Sequence, residues 1–280
     1  MLVRILAAAV GLPLLLAIVI LLPPVATAIL FAAACMIGAY EMLWRTGLLK
    51  HKRILVYTAL MAAATVMWSW GKGEGIISEQ TLWASALTAL FVFFMALFCE
   101  LLAGHTKLQF TSLAAPLFSG VVYPFLIGAL VRLRCMDGGV FFIITAFVLS
   151  MIADTGAYFV GRACGKHKLA PVISPKKTVE GAIGGVVTNV AVMLLYAFLL
   201  KKCFNFTEVN YLFAAIYGVL GAIASIIGDL TLSVVKRQVG IKDYGNLIPG
   251  HGGILDRFDS TMAVAPLTEI LLLLIPFAVK

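Results

Sequence analysis

YLFAAIYGVLGAIASIIGDLTLSVVKRQVGIKDYGNLIPGHGGILDRFD, residues 211–259, changes character halfway along. Tyr211 to Val235 is an apolar run long enough to cross the hydrocarbon of a bilayer as a helix. Asp229 interrupts it, and a carboxylate at mid-membrane costs about 2.5–3.5 kcal/mol on the insertion scale, so it is normally retained for function. From Gly228 to Asp259, eight of 32 residues are charged (Asp229, Lys236, Arg237, Lys242, Asp243, Asp256, Arg257, Asp259), against 12% of the whole chain. Four acids and four bases cancel, so the segment is no electrostatic tether. It has the composition of a place where cations and anions are held together.

Asp229, Ser233 and Lys236 are spaced by four and three, which puts them on one face if the helix continues. Asp256 and Asp259 flank Arg257, and a helix beginning there would project both carboxylates the same way, as a hard-cation site requires. Between the two groups, Pro249-Gly250-His251-Gly252-Gly253 allows tight turns and close approach of backbone N–H groups to an anion. In an ordinary surface loop such charges would be solvated, with incidental ion pairs. The apolar setting favours a site.

The remainder of the chain sets that apolar context. It is 62% hydrophobic over 280 residues, with a mean hydropathy of +1.06. Soluble domains carry about 25% charged residues. The expected fold is therefore all-α, a polytopic membrane protein of about nine transmembrane helices, near residues 4–22, 25–44, 54–70, 80–103, 110–131, 139–161, 178–200, 210–235 and 259–279. The first pair is joined only by Pro23-Pro24, so a hairpin that does not fully cross is an alternative for 4–44. The N-terminal run has no cleavage-site pattern and reads as a first span rather than a signal peptide. Residues 1–135 read as a transmembrane scaffold and 136–280 as the catalytic region of one continuous membrane domain.

In this arrangement 15 of the 21 Lys and Arg fall on one side; Lys72, Arg132, Arg134, Lys201, Lys202 and Lys280 fall on the other. The positive-inside rule makes the first side cytoplasmic. The polar segment then faces the cytoplasm from the cell (inner) membrane, where nucleotides and Mg²⁺ are found. The net charge of +8 is mostly this asymmetry. It favours an anionic lipid surface and gives no argument for nucleic acid. Cys35, Cys99, Cys135, Cys164 and Cys203 lack metal-binding spacing and read as small apolar fillers. Glu41, beside a basic loop, reads as an interfacial ion-pair partner.

The sixth span, MIADTGAYFVGR, carries Asp154 inside an apolar helix, followed by the basic loop RACGKHKLAPVISPKKTVEG. Ser174-Pro175 there resembles a helix N-cap with proline at the first position. Lys176 and Lys177 would then lie in the first helical turn, where N–H groups, helix dipole and ammonium groups converge on an anion such as phosphate. Gly161, Gly165 and Lys166 do not make a phosphate-binding loop of the soluble NTPase kind, because the glycine spacing is short and His167 replaces the Mg²⁺-binding hydroxyl.

Ser233, Lys236-Arg237, Lys242-Asp243, Gly245, Ile248-Pro249, His251-Gly252-Gly253, Asp256-Arg257 and Asp259 resemble the signature of the phosphatidate cytidylyltransferases, the CDP-diacylglycerol synthases. Asp154 through SPKKTVEG and GAIGG resembles a second block of that family. Together the two blocks cover roughly residues 150–260. The resemblance implies transfer of the cytidylyl group of CTP to phosphatidic acid at the membrane, with pyrophosphate released. It implies Mg²⁺ on Asp229, Asp256 and Asp259, with a second cation left open, and catalytic parts for Lys236, Arg237 and Arg257. Substrate contacts would come from Asp154, Ser174, Lys176, Lys177, Thr178, Ser233, Lys242, Asp243, His251, Gly252 and Gly253. Similar members are thought to be homodimers.

The attacking oxygen of a lipid phosphate is already anionic. The protein must supply position and charge neutralisation rather than a general base. A CTP-dependent lipid kinase of the dolichol kinase kind looks similar in its lysine and HGG segments but would transfer the γ-phosphoryl group. An ion-coupled transporter would account for Asp154 and Asp229 but not for PGHGG with DRFD.

Overall fold

The computed structural model describes residues 2–104, 106, 108–247 and 252–280, and their side chains apart from those of 2–10 and 12. His251, Pro249 and Gly250 lie outside the described residues, as does Lys107, one of the basic residues used to assign sidedness. Seven helices among the described residues are long and apolar enough to cross a membrane: Pro24–Arg45, Lys52–Glu74, Glu79–Ala103, Phe110–Cys135, Gly139–Cys164, Val179–Cys203 and Tyr211–Gln238. The protein is an all-α polytopic membrane protein, but the expected count of nine is not reached on these residues. The last expected span, 259–279, is a helix of 14 residues, Thr261–Leu274, short of the roughly 20 needed to cross. Pro276 and a C-terminal strand end it.

The chain divides into two compact units, Met1–Met136 with Gln238–Phe258, and Asp137–Arg237 with Asp259–Lys280. The first contains α1 (Leu2–Leu21), α2 (Pro24–Tyr40), α3 (Lys52–Glu74), α4 (Glu79–Ala103), the short α5 (Ala114–Leu117) and α6 (Tyr123–Cys135). Pro24 begins α2 at the position where a missing N–H costs nothing. At its other end α2 continues as a π-helical turn, Glu41–Arg45. Arginines that the sequence placed outside the cytoplasm have structural partners. Arg134 donates from Nε to the Val19 carbonyl (2.8 Å) and from Nη2 to that of Leu22 (3.1 Å), serving carbonyls at the end of α1. Arg132 donates to Ser69 Oγ (2.8 Å) and lies 4.8 Å from the centre of the Phe125 ring.

The second unit holds α7 (Gly139–Cys164), a hairpin of β1 (Lys168–Ala170) and β2 (Ser174–Thr178), α8 (Val179–Cys203), β3 (Glu208–Val209), α9 (Tyr211–Gln238), α10 (Thr261–Leu274) and β4 (Ala278–Val279). Small residues let α7 and α8 approach closely, as is common in membranes. A Cβ on Gly184 would collide with Val160, and one on Gly156 with Thr188. Polar side chains join the other helices: Asn189 Nδ2 donates to the Gly218 carbonyl (3.1 Å), and Ser225 Oγ to that of Ser150 (3.4 Å). β3 pairs antiparallel with β4, so the C-terminus lies at the same end of this unit as the α8–α9 connection. Phe141, Phe142, Phe206, Tyr217 and Phe277 pack edge to face at that end. The opposite end carries the hairpin, the end of α9 and the start of α10.

The hairpin corrects the expected start of α8. Ser174 is not an N-cap, and Lys176 and Lys177 are not in a helical turn. Ser174–Thr178 is a strand paired with β1, in the register Lys168 to Thr178 and Ala170 to Ser174. Thr178 is the cap: its Oγ1 accepts from Gly181 N (3.1 Å), with Glu180 in the first turn. Glu180 accepts in addition from the N–H groups of Lys166 and His167 and pairs with His167 Nδ1 at 2.6 Å. These contacts fix the hairpin to the helix start and outweigh the local Ser-Pro signal.

Candidate active site

In the second unit, α7 and α9 present carboxylates towards the hairpin. Asp154, Ala157, Tyr158 and Gly161 follow the helical spacing of one face of α7, and all line a cavity of about 390 Å³. Arg162, Leu169, Lys176, Lys177, Thr178, Gly181, Ala182, Ile226 and Asp229 complete its wall. That volume is of the size that holds small-molecule ligands. Its wall is cationic at the hairpin, acidic at Asp154 and Asp229, and apolar between.

Lys177 Nζ lies 2.5 Å from Asp229 Oδ2, with the two side chains only 20% and 22% exposed. The other carboxylate oxygen of Asp229 accepts from Ser233 Oγ at 3.1 Å. This confirms the Asp229/Ser233 face expected from spacing. Lys236, one turn further and buried, attracts both Asp229 and Asp259. Asp154 Oδ2 accepts from Ser260 Oγ (3.0 Å), and Lys177 attracts it as well. Asp259 Oδ1 accepts from Ser260 N at 2.8 Å. Burial pushes the Asp259 carboxyl up to about 7, and the neighbouring charge of Asp229 adds to the effect while Lys236 opposes it.

Six expected residues, Asp154, Lys177, Asp229, Ser233, Lys236 and Asp259, therefore form one electrostatic cluster. Asp154, Lys177 and Asp229 of this cluster share the cavity wall with Lys176 and Thr178, whereas Ser233, Lys236 and Asp259 lie behind the lining. Arg237 turns its Nε to the carbonyl of Ile173 (3.0 Å), bracing the hairpin. Ser174 is a strand residue and not part of the cavity lining. Sequence reading missed Ser260, although a serine just before an apolar helical run is a recognisable signal. Tyr158 and Gly161 were missed as well, although they follow Asp154 by four and seven residues, the spacing of one helical face.

The remaining candidates belong to the first unit. The helix expected to carry Asp256 and Asp259 together begins only at Thr261. Residues 254–260 are turns, because these aspartates bind backbone N–H groups in competition with a helix. Asp256 is buried, and its Oδ2 accepts from Tyr244 N (2.8 Å) and Gly253 N (2.9 Å). The next two N–H groups, of Ile254 and Leu255, donate to Glu41 Oε1 and Oε2, each at 3.0 Å. The anion held by the backbone at Gly253–Leu255 is thus the protein's own. Glu41 is a buried anchor of this loop rather than the interfacial partner of a basic loop. Lys242, Asp243 and Arg257 are exposed, and Gly252 takes φ +84°, which only glycine adopts without strain.

The donor chemistry suits a hard cation. Among the described residues no three His, Cys, Asp or Glu converge enough to cage a metal by themselves. Mg²⁺ does not require that, since it is usually held by one or two carboxylates with water and substrate phosphates. The mutual repulsion of Asp154, Asp229 and Asp259 is what such a cation would relieve.

Comparison with known proteins agrees with this chemistry. The model of the cytidylyltransferase family matches residues 2–275. Over 135 residues, 48% of this chain and 50% of the relative, the chain is 47% identical to a phosphatidate cytidylyltransferase of Staphylococcus haemolyticus. It is 44% identical over 147 residues (52% and 55%) to that of Staphylococcus saprophyticus, and 45% over 137 residues (48% and 50%) to that of Staphylococcus aureus. The matches thus span about half the length of these curated relatives. With a family match over nearly its whole length, the chain belongs to the cytidylyltransferase family.

Proposed function

We propose that the protein transfers the cytidylyl group of CTP to phosphatidate, giving CDP-diacylglycerol and pyrophosphate. The observation that carries this reading is the cavity in which Lys176, Lys177 and Arg162 stand opposite Asp154 and Asp229 in a membrane-helical unit. A phosphate oxygen of the lipid attacks the α-phosphorus of CTP, a new P–O bond forms, and the bond to the β-phosphate oxygen breaks. No proton has to be removed from the nucleophile. The ammonium and guanidinium groups lower the cost of bringing two anions together and of charge developing on the leaving pyrophosphate.

Asp229 and Asp259 would hold Mg²⁺, whose contribution is to neutralise phosphate charge and to orient the phosphates. The chain's own residues do the rest. Ser233 and Lys236 orient Asp229, Ser260 orients Asp154, and Lys177 is placed to exchange its carboxylate partner for a phosphate. The apolar wall of Ala157, Ala182 and Ile226 suits the glycerol and ester end of a lipid. By the distribution of Lys and Arg, this end of the unit faces the cytoplasm. The homodimer implied by resemblance belongs to the same proposal.

Purified protein given CTP should release pyrophosphate only when phosphatidate is present, and EDTA should stop the release until Mg²⁺ is restored. Release of CDP in place of pyrophosphate would assign the protein to the lipid kinases.

A further inference from the structure

Glu41 lies about two hundred residues from the motif it contacts, in a helix that sequence gives no reason to connect with the reaction. It is 2% exposed and sits where α2 passes into the π-helical turn Glu41–Arg45. Such turns are frequent at functional sites, because the extra residue redirects a side chain out of the helical repeat. Both of its oxygens are used: Oε1 by Ile254 N and Oε2 by Leu255 N, each at 3.0 Å.

Two glycines of the same loop close around this carboxylate. A Cβ at Gly245 would run into Glu41 Oε1, and one at Gly253 into both oxygens. Asp256 then ties the loop to itself through Tyr244 N and Gly253 N. Tyr244 and Gly253–Leu255 are therefore held at two carboxylates, one from the same loop and one from α2. Arg257 follows Asp256 directly and is exposed.

We propose that Glu41 is a positioning residue of the reaction, fixing the backbone at Gly253–Leu255 and through it the placement of Asp256 and Arg257. This rests on the cytidylyl-transfer reading above. It assigns a reaction role to the N-terminal unit, and it gives a reason for glycine at 245 and 253 other than phosphate binding. A buried carboxylate that accepts two backbone N–H groups is also costly to lose, because those donors are then left unpaired.

The test compares the purified full chain with Glu41→Gln, which keeps the shape but turns an amide N–H towards one of the two donors. Hydrogen exchange should quicken in the peptides covering residues 252–258 and little elsewhere. kcat per folded molecule should fall about tenfold or more, from loss of a charge-assisted contact. KM for CTP should stay within about twofold, since the cavity lysines belong to the other unit. With Arg257→Lys added, the losses should be less than multiplicative, as expected for residues acting through one another.

Loosened exchange with full kcat would overturn the proposal. So would a general quickening of exchange with activity tracking the folded fraction and multiplicative losses in the double variant. Should Glu41→Gln fail to fold, Gly253→Ala drives a methyl group against the same carboxylate and carries the same test. A wild-type protein that forms no cytidylylated lipid would instead remove the reading on which the proposal rests.

Discussion

Lys177 Nζ and Asp229 Oδ2 stand 2.5 Å apart at the wall of the cavity, each side chain about one-fifth exposed. The pair joins the basic hairpin to the acidic face of α9, and so joins the phosphate-binding and cation-binding halves of the proposed reaction. In this arrangement the ammonium occupies the oxygen that a divalent cation would use.

Two opposite effects should follow from Lys177→Gln. With the competing ammonium gone, the Mg²⁺ concentration for half-maximal activity should fall. KM for CTP should rise about tenfold or more, the equivalent of one lost charge-assisted contact. Lys176→Gln should do less, because Lys176 is exposed. Titration of activity with Mg²⁺ and with CTP separates the two effects, and equal, small changes in both variants would return the lysines to a general surface role.

Asp259→Asn and Asp256→Asn should fail differently. Asp259 belongs to the acidic cluster with Asp154 and Asp229, so its neutralisation should raise the Mg²⁺ requirement of whatever activity remains. Asp256 holds two backbone N–H groups of its own loop, and its amide should cost about 1.5–3 kcal/mol of loop stability. Thermal unfolding in detergent and Mg²⁺ titration of both variants check this. An unchanged melting curve for Asp256→Asn together with a raised Mg²⁺ requirement would place Asp256 in the metal site.

At the start of α8, Thr178→Ala removes the observed cap and should cost about 1 kcal/mol. Ser174→Ala should stay within about 0.5 kcal/mol, because Ser174 lies in the strand. Chemical denaturation of the two variants reads the difference. A larger loss at Ser174 would restore the Ser-Pro start expected from sequence.

These contrasts follow what was legible in the chain and what was not. Asp229, Ser233 and Lys236 were legible because a helix repeats every 3.6 residues, and their spacing needs no distant partner to be read. Seven of the apolar spans were legible from length, but the expected span 259–279 was not a full crossing, because its helix runs only from Thr261 to Leu274. The β1–β2 hairpin was not legible, since its strands are only three and five residues long and Ser174-Pro175 imitates a helix start. The turn at 254–260 was obscured in a similar way: Asp256 and Asp259 have helical spacing, but each satisfies backbone N–H groups that a helix would have used. Glu41 could not have been found at all by local pattern, because its partners, Ile254 and Leu255, are 213 and 214 residues away.

Sidedness can be read from native cysteines. Cys164 ends α7 at the cavity end of the second unit, Cys203 ends α8 at the other, and both are exposed. In intact cells, with Cys99 replaced by serine, a membrane-impermeant maleimide should label Cys203, and should reach Cys164 only after the membrane is opened. Labelling of both from one side would contradict the orientation inferred from the basic residues.

The reaction itself is tested most directly by where the phosphorus of CTP goes. Purified protein should be incubated with phosphatidate, Mg²⁺ and CTP labelled with ³²P at either the α or the γ position, and the chloroform-soluble lipid counted. Cytidylyl transfer predicts that α label enters the lipid in step with pyrophosphate release, and that γ label remains in the aqueous phase. Entry of γ label with none from the α position would contradict it and assign the cavity to phosphoryl transfer.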